Sequence, residues 1–380
     1  MAAVSADVTP KLLAWAREAS GYTRDEAAKR VAVKATKLAD WESGNTKPSF
    51  TQAVKLATIY KRPLALFYLQ EPPIDPRSPR DFRSKGHAPD SPALRLAYRR
   101  AHDRRRVTLE LREALGLGAP APFELTATRS DDARALAARM REVIGITLKD
   151  QRAWKSAEKA VSMWRAAIEG LGVLVLFARR IETAETRGFS LAEDSTLPVI
   201  VVNGSDAPAG RVFTLFHELA HVLLRDGGVC DLQGGGVEEF CNAFAGEFLV
   251  PRDDLLEEPE VRARAMNYGW PSDDLQTLAR RYSVSEEVIL RRLVTLNRAS
   301  KTLYENRRDG YVARRARNVD DGKSSGPPPE VMSIHDNSEA FARLVVDAYR
   351  GETISLAEAG QLLEVPAARV AKVEEKLWRR

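Results

Sequence analysis

The 380-residue sequence predicts an α+β chain that is mostly helical. Three patterns carry that reading. Apolar residues recur at helical spacing along most of the chain, beginning with short segments over 9–70. Short runs suited to strands, rich in β-branched residues, stand at 173–177, 188–191 and 199–202. Residues 212–224 are apolar nearly all round, as a buried helix is, and they carry His217-Glu218-Leu219-Ala220-His221. The expected architecture is an N-terminal five-helix domain, a core with a small sheet beside a helical bundle, and a helical C-terminal region.

In the head, Thr9 and Pro10 open the first helix, with Leu12 and Leu13 facing inward. Thr23 caps a second helix, running to about residue 31. A turn at Ala32 and Val33 leads to a third, over about 34–43, closed by Gly44. Pro48 and Ser49 start a fourth and Pro63 a fifth. Two helices joined by a tight turn form a helix-turn-helix candidate. Its third helix would enter the major groove of DNA, with Lys34, Thr36 and Lys37 as base readers or phosphate contacts. The alternative is a domain kept only for docking or dimerisation.

Six prolines over 71–92 (Pro72, Pro73, Pro76, Pro79, Pro89 and Pro92) mark a linker. Residues 77–106 hold ten Arg or Lys against three acids, while the whole chain carries only +5. Such a stripe can follow phosphates. A solvated helix face or an interdomain contact would read the same way. Helical patterns follow at about 93–116, 130–145 and 151–170, then strands at 173–177, 188–191 and 199–202. An edge strand of that sheet could hold an extended substrate by backbone pairing. Residues 275–297 suggest a second helix-turn-helix shape around Ser283 and Ser285. Residues 300–330, basic and then rich in Gly, Ser and Pro, read as a mobile linker. A last helical piece, about 337–378, reads as a packing or dimerisation element. The expected domains are 1–75, a basic linker and helix over 76–129, a core over 130–300 that includes 270–298, a flexible linker over 301–335, and 336–380.

His217 and His221 stand four residues apart and share one helix face. Two neutral imidazoles at that spacing suit one tetrahedral Zn²⁺. The chain has five histidines, and two of them fall on this greasy helix, where an unpaired polar group is costly. Glu218 lies beside the first ligand, where a general base would stand. A third ligand is expected downstream, where 237–250 has helical periodicity after the glycines of 234–236 and before Pro251. Glu238 is the candidate; Glu239 and Glu247 are its rivals, and pattern alone separates them only modestly. Asn242, one turn after Glu238, could orient a ligand histidine.

These residues resemble the ImmA/IrrE metallopeptidase family. The resemblance rests on Phe213-Thr214-Leu215-Phe216 before the histidine pattern, then Glu238, Cys241-Asn242, Phe244-Ala245 and Phe248-Leu249-Val250-Pro251. Arg187-Gly188-Phe189-Ser190 and the strand at 197–203 belong to it as well. It covers about 170–255 and implies a gluzincin-like zincin site whose third ligand is Glu238. Val250 stands where that family usually has Met. The head resembles Xre/Cro-type repressors through Glu26-Ala27-Ala28 and through Leu38, Trp41-Glu42, Gly44 and Pro48-Ser49. Ala32 departs from that pattern, which carries Gly in the turn. Together the resemblances imply a DNA-binding zinc metallo-endopeptidase that cleaves a protein repressor and so switches transcription in a stress or mobile-element response. The alternative is a transcriptional regulator or antitoxin whose peptidase fold is a sensor or docking module.

The sequence has no run of eighteen apolar residues and no secretion signal, and its two cysteines make no disulfide scaffold, so a cytoplasmic setting without membrane contact is expected. Cys241 reads as a packing residue. Cys230 is left as a loop cysteine, a spare ligand or a reactive thiol.

Overall fold

Helices in the head begin where their capping residues stand. Thr23 and Ser49 each close a capping box, with Glu26 and Gln52. The order is α1 (Pro10–Ala19), α2 (Arg24–Val31), α3 (Ala35–Ser43) and α4 (Phe50–Tyr60). The expected fifth helix is a 3-10 turn over Leu64–Tyr68. Leu13, Ala27, Leu38, Trp41, Leu56 and Phe67 form the core of this head. The structure, a computed structural model, describes residues 4–73, 80–81, 89–230, 236–264, 269–318 and 327–378, with backbone only at 80–81, 228–230 and 314–318.

Ala32 ends α2 in the left-handed region, at φ 63° and ψ 51°. A Cβ there meets the carbonyl oxygen, which costs about 1 kcal/mol. Ala32 is exposed, so nothing in the packing repays this. Ala32→Gly is expected to stabilise the head by about 1 kcal/mol in urea denaturation, less the entropy that glycine loses on folding.

The chain divides into two compact units. The first holds residues 1–78 and 87–102 and the second 79–86 and 103–380. Helix α5 (Pro92–Ala114) gives its first part to one and the rest to the other. In the first unit Arg95 donates to the Glu18 carbonyl at 2.8 Å and Arg99 to that of Tyr60 at 3.2 Å. In the second unit Arg104 bonds Asn337 and Glu364 at 2.7 and 2.8 Å, and Arg105 bonds the Thr196 carbonyl at 2.8 Å. The basic stripe is therefore committed at these positions to contacts within the protein, not to phosphates. Arg77, Arg83 and Lys85 lie outside the described residues.

The second unit continues with α6 (Ala133–Ile144), α7 (Leu148–Ala153) and α8 (Ala157–Gly170). The single helix expected over 151–170 is broken at Lys155 (φ 57°), after which Ser156 caps α8. Its sheet contains β1 (Arg80–Asp81), β2 (Leu174–Ala178), β3 (Gly188–Leu191), β4 (Val199–Asn203) and β5 (Gly228–Cys230), in the order β1-β5-β3-β4-β2. β2 is parallel to β4, and β3 is antiparallel to both β4 and β5. The strands against the histidine helix, β3 and β4, are interior, and β1 and β2 form the edges of the sheet. β3 carries β5 on its other side, with Gly188 opposite Cys230 and Phe189 opposite Val229. The chain turns straight back after the histidine helix, and Gly227 passes so close that a Cβ would fall 2.6 Å from the Ser190 carbonyl.

The histidine helix is α9 (Pro208–Leu224), which packs on α8, β3, β4 and α10 (Val237–Leu249). Phe216 of α9 stacks on Phe248 of α10 at 4.0 Å, and Trp164 of α8 meets both rings edge-on. Next come α11 (Arg252–Glu257), α12 (Pro259–Arg262), α13 (Ser272–Tyr282), α14 (Glu286–Thr295) and α15 (Lys301–Asn318). α13 and α14 are joined by a tight turn at Ser283, as the second helix-turn-helix shape requires.

The linker expected over 301–335 is largely helix. α15 occupies its first half and α16 (Pro329–Asn337) its end, with 319–326 outside the described residues. Charge lowered the hydropathy of 301–318, yet Leu303, Tyr304 and Tyr311 pack on the main core. The tail is α17 (Glu339–Arg350), α18 (Leu356–Leu363) and α19 (Val370–Trp378), broken at Glu352 and Glu364, both left-handed. It belongs to the second unit and is not a separate domain: α16 packs on β2, and Arg165 reaches the His335 carbonyl.

Candidate metal centre

The apolar run 212–223 is buried on every side. His217 and His221 are therefore held inside the core, each 0% exposed. Glu238, in the first turn of α10, is 2% exposed and faces both. His217 Nε2 lies 3.0 Å from Glu238 Oε2, and His221 Nε2 lies 3.3 Å from Glu238 Oε1. The two Nε2 atoms are 3.3 Å apart. Ligands about 2.0–2.1 Å from a common tetrahedral centre are separated by about 3.3 Å, so these spacings fit zinc.

The polar chemistry also fits a cation. His221 Nδ1 lies 2.9 Å from the Asp226 carbonyl, which can only accept, so Nδ1 carries the proton and Nε2 presents its lone pair inward. Burial lowers the His217 pKa below its ordinary value, against the opposing pull of Glu238, and so favours a neutral ring. Asn242 stands beside His217 and favours its N–H. Burial would raise the Glu238 pKa, but N–H groups and positive charge on the two histidines outweigh it and hold the carboxyl well below the usual carboxylate range, a part that a cation would take over where the rings are neutral. Two neutral nitrogens and a carboxylate thus converge in the core. His217, His221 and Glu238 are the group among the described residues with ligand atoms close enough to hold a metal ion.

Glu218 is 0% exposed. A Cβ at position 188 would fall 2.7 Å from Thr214 Cγ2, 2.8 Å from the Val201 carbonyl and 3.2 Å from Glu218 Oε1, so glycine lets β3 lie close against α9 beside the carboxylate. A cleft of 350 Å³ opens beside the centre, lined by Phe213, Asn242, Ala243, Val288 and Arg291. Of the rival acids, Glu239 is exposed and Glu247 pairs with Arg292. Cys241 is fully buried beside His221, and burial raises its thiol pKa. The Cys230 side chain lies outside the described residues.

In the head, Lys34, Thr36 and Lys37 are exposed around the start of α3. The start of α14 differs: Glu286 and Glu287 occupy its first turn and line cavities of the second unit. Two acids there are ill suited to following the phosphate backbone of DNA. Sequence reasoning missed the Asp226 carbonyl, since a backbone oxygen has no signature in residue type. It also missed the closeness of Gly188 to Glu218, for which the lone glycine in a strand was the available signal.

Fold and site together define a class: a DNA-binding regulator with a metallopeptidase-like domain. Residues 11–67 match the family profile described as a helix-turn-helix domain, and residues 168–294 match that described as the IrrE N-terminal-like domain. The chain joins a helix-turn-helix domain to an ImmA/IrrE-type peptidase domain. No curated protein and no solved structure shows a significant match to it. No helix among the described residues is long and apolar enough to cross a membrane.

Proposed function

We propose that the chain is a zinc-dependent endopeptidase that its head brings to DNA, and that it cuts a protein repressor bound nearby in the cytoplasm. The observation that carries this reading is the convergence of His217, His221 and Glu238 at tetrahedral spacings, with Glu218 one residue from the first ligand. A zinc ion held there supplies Lewis acidity, acidifying water and polarising a peptide carbonyl. Glu218 takes the proton from the attacking water on its carboxylate and returns it to the leaving amine. Asn242 and the Asp226 carbonyl hold the two imidazoles in place. Lys34, Thr36 and Lys37 anchor α3 on an operator.

One observation favours the second reading, a regulator whose peptidase fold only senses or docks. β3, the strand that passes beside Glu218, has β4 on one side and β5 on the other, so neither of its sides is open to an extended substrate. A substrate must then enter through the cleft at Phe213 and Asn242, or displace β5.

Metal content tests the centre directly. Protein purified without chelator is expected to carry about one zinc per chain by elemental analysis. Glu238→Ala should lose most of it, because two imidazoles alone leave the site half made. Equal zinc in both would remove Glu238 from the ligand set, and no zinc in either would remove the enzyme reading.

A further inference from the structure

A second cavity, also of 350 Å³, lies where three helices begin. Ala157 of α8, Gly210 of α9 and Ser285 at the head of α14 all line it. The first turn of each helix presents N–H groups that have no partner within the helix, at the positive end of its dipole. Lys155, Arg187 and Arg280 line the same space. They are matched in number by Asp206, Glu286 and Glu287, so the helix ends leave it positive.

Two buried groups point to an occupant. Ser283 is 4% exposed and its Oγ has no hydrogen-bond partner. Asp206 is 4% exposed as well. Its Oδ1 accepts from the Ala207 N–H at 2.8 Å, while Oδ2 makes no hydrogen bond, although Arg211 offsets the charge. Gly210 makes room for that oxygen: a Cβ there would fall 2.5 Å from Oδ2. Buried groups of this kind rarely stay unpaired.

Donors on several sides suit an oxyanion. A buried acceptor among them suits one that still carries a proton. We propose that this cavity binds a hydrogen phosphate group, either free or as the head of a small phosphate ester. The helix ends, Arg187 and the Ser283 hydroxyl hold its oxygens, and Asp206 Oδ2 accepts its proton. Sulfate has no proton to give at neutral pH and is rejected. Arg187, Gly210 and Ser285 also line the cleft beside the metal centre, so the phosphate stands against the wall of that cleft. The site does not depend on peptidase activity.

Calorimetric titration of the full-length protein with phosphate, glycerol phosphate and sulfate tests this. Saturable binding of either phosphate, with none of sulfate, is expected, and the pair of phosphates tells the free ion from the ester. Ser283→Gly suits the left-handed backbone at φ 55° and removes the hydroxyl together with its methylene. It should weaken phosphate binding about tenfold, as loss of a hydrogen bond to a charged group does. Asp206→Asn should admit sulfate. Binding must survive in Glu238→Ala, since its loss there would put the phosphate at the metal centre and overturn the proposal. It is equally overturned if neither phosphate binds, if the wild type takes sulfate as readily, or if Ser283→Gly binds phosphate unchanged.

Discussion

Glu218→Gln is expected to lower peptide-bond cleavage by a factor of about 10²–10⁴, the usual contribution of a positioned general base. The two side chains have nearly the same shape, so the fully buried position beside Gly188 tolerates the change. A neutral amide cannot take the proton from water or return it to the leaving nitrogen. The variant keeps His217, His221 and Glu238, and its zinc content should equal that of the wild type. The measurement is cleavage of a candidate repressor protein, followed on gels, with elemental analysis of the same samples. Wild-type cleavage by the variant would strip Glu218 of its role. Zinc-loaded wild-type protein that cleaves nothing, yet still binds its operator, would favour the docking reading, with β3 beside Glu218 already paired on both sides.

Glu42→Ala should cost the head about 3 kcal/mol, because it leaves the buried Arg17 guanidinium with only the exposed Glu18 carboxylate and the Tyr22 carbonyl. Arg17 and Glu42 are almost wholly enclosed, with side chains 8% and 4% exposed. Arg17 Nε donates to Glu42 Oε1 at 2.6 Å, and Arg24 Nε donates to Oε2 at 3.1 Å. Burial alone would lower the Arg17 pKa, but Glu42 raises it above the ordinary arginine value, so the pair stays charged. A domain of this size has a total stability of about the same magnitude as the loss. The variant head is expected to be largely unfolded in denaturant titration at 25 °C, and operator binding should vanish with it. The paired change Arg17→Met with Glu42→Leu should recover most of the stability, since it removes the stranded charge as well. A single variant as stable as the wild type would show that the ion pair contributes little.

The Trp41-Glu42 pattern of the head is legible for this reason. Trp41 fills the core and Glu42 neutralises a buried arginine, so both are tied to their sequence positions by the fold. The histidine pair is legible too, because helix periodicity alone puts residues four apart on one face. The third ligand was less so. Glu238, Glu239 and Glu247 all sit on one helix, and only the way α10 lies against α9 turns Glu238 inward. Composition misled at 301–318, where scattered charge hid three residues that pack on the core. Along α5 it left phosphates and contacts within the protein undivided, and arginines there bond carbonyls and acids of the protein itself.

What the sequence determined by itself was local: where helices start, which faces are apolar, and which residues share a helical turn. Capping, periodicity and residue chemistry act within a few positions of one another, and they can be read from order alone. The tertiary structure decided what depends on two distant segments meeting. It brought Glu238 to the histidines, passed Gly188 beside Glu218, covered β3 with β5, and gathered three helix starts around Ser283 and Asp206. Those meetings are set by packing across the whole core, where every contact depends on all the others.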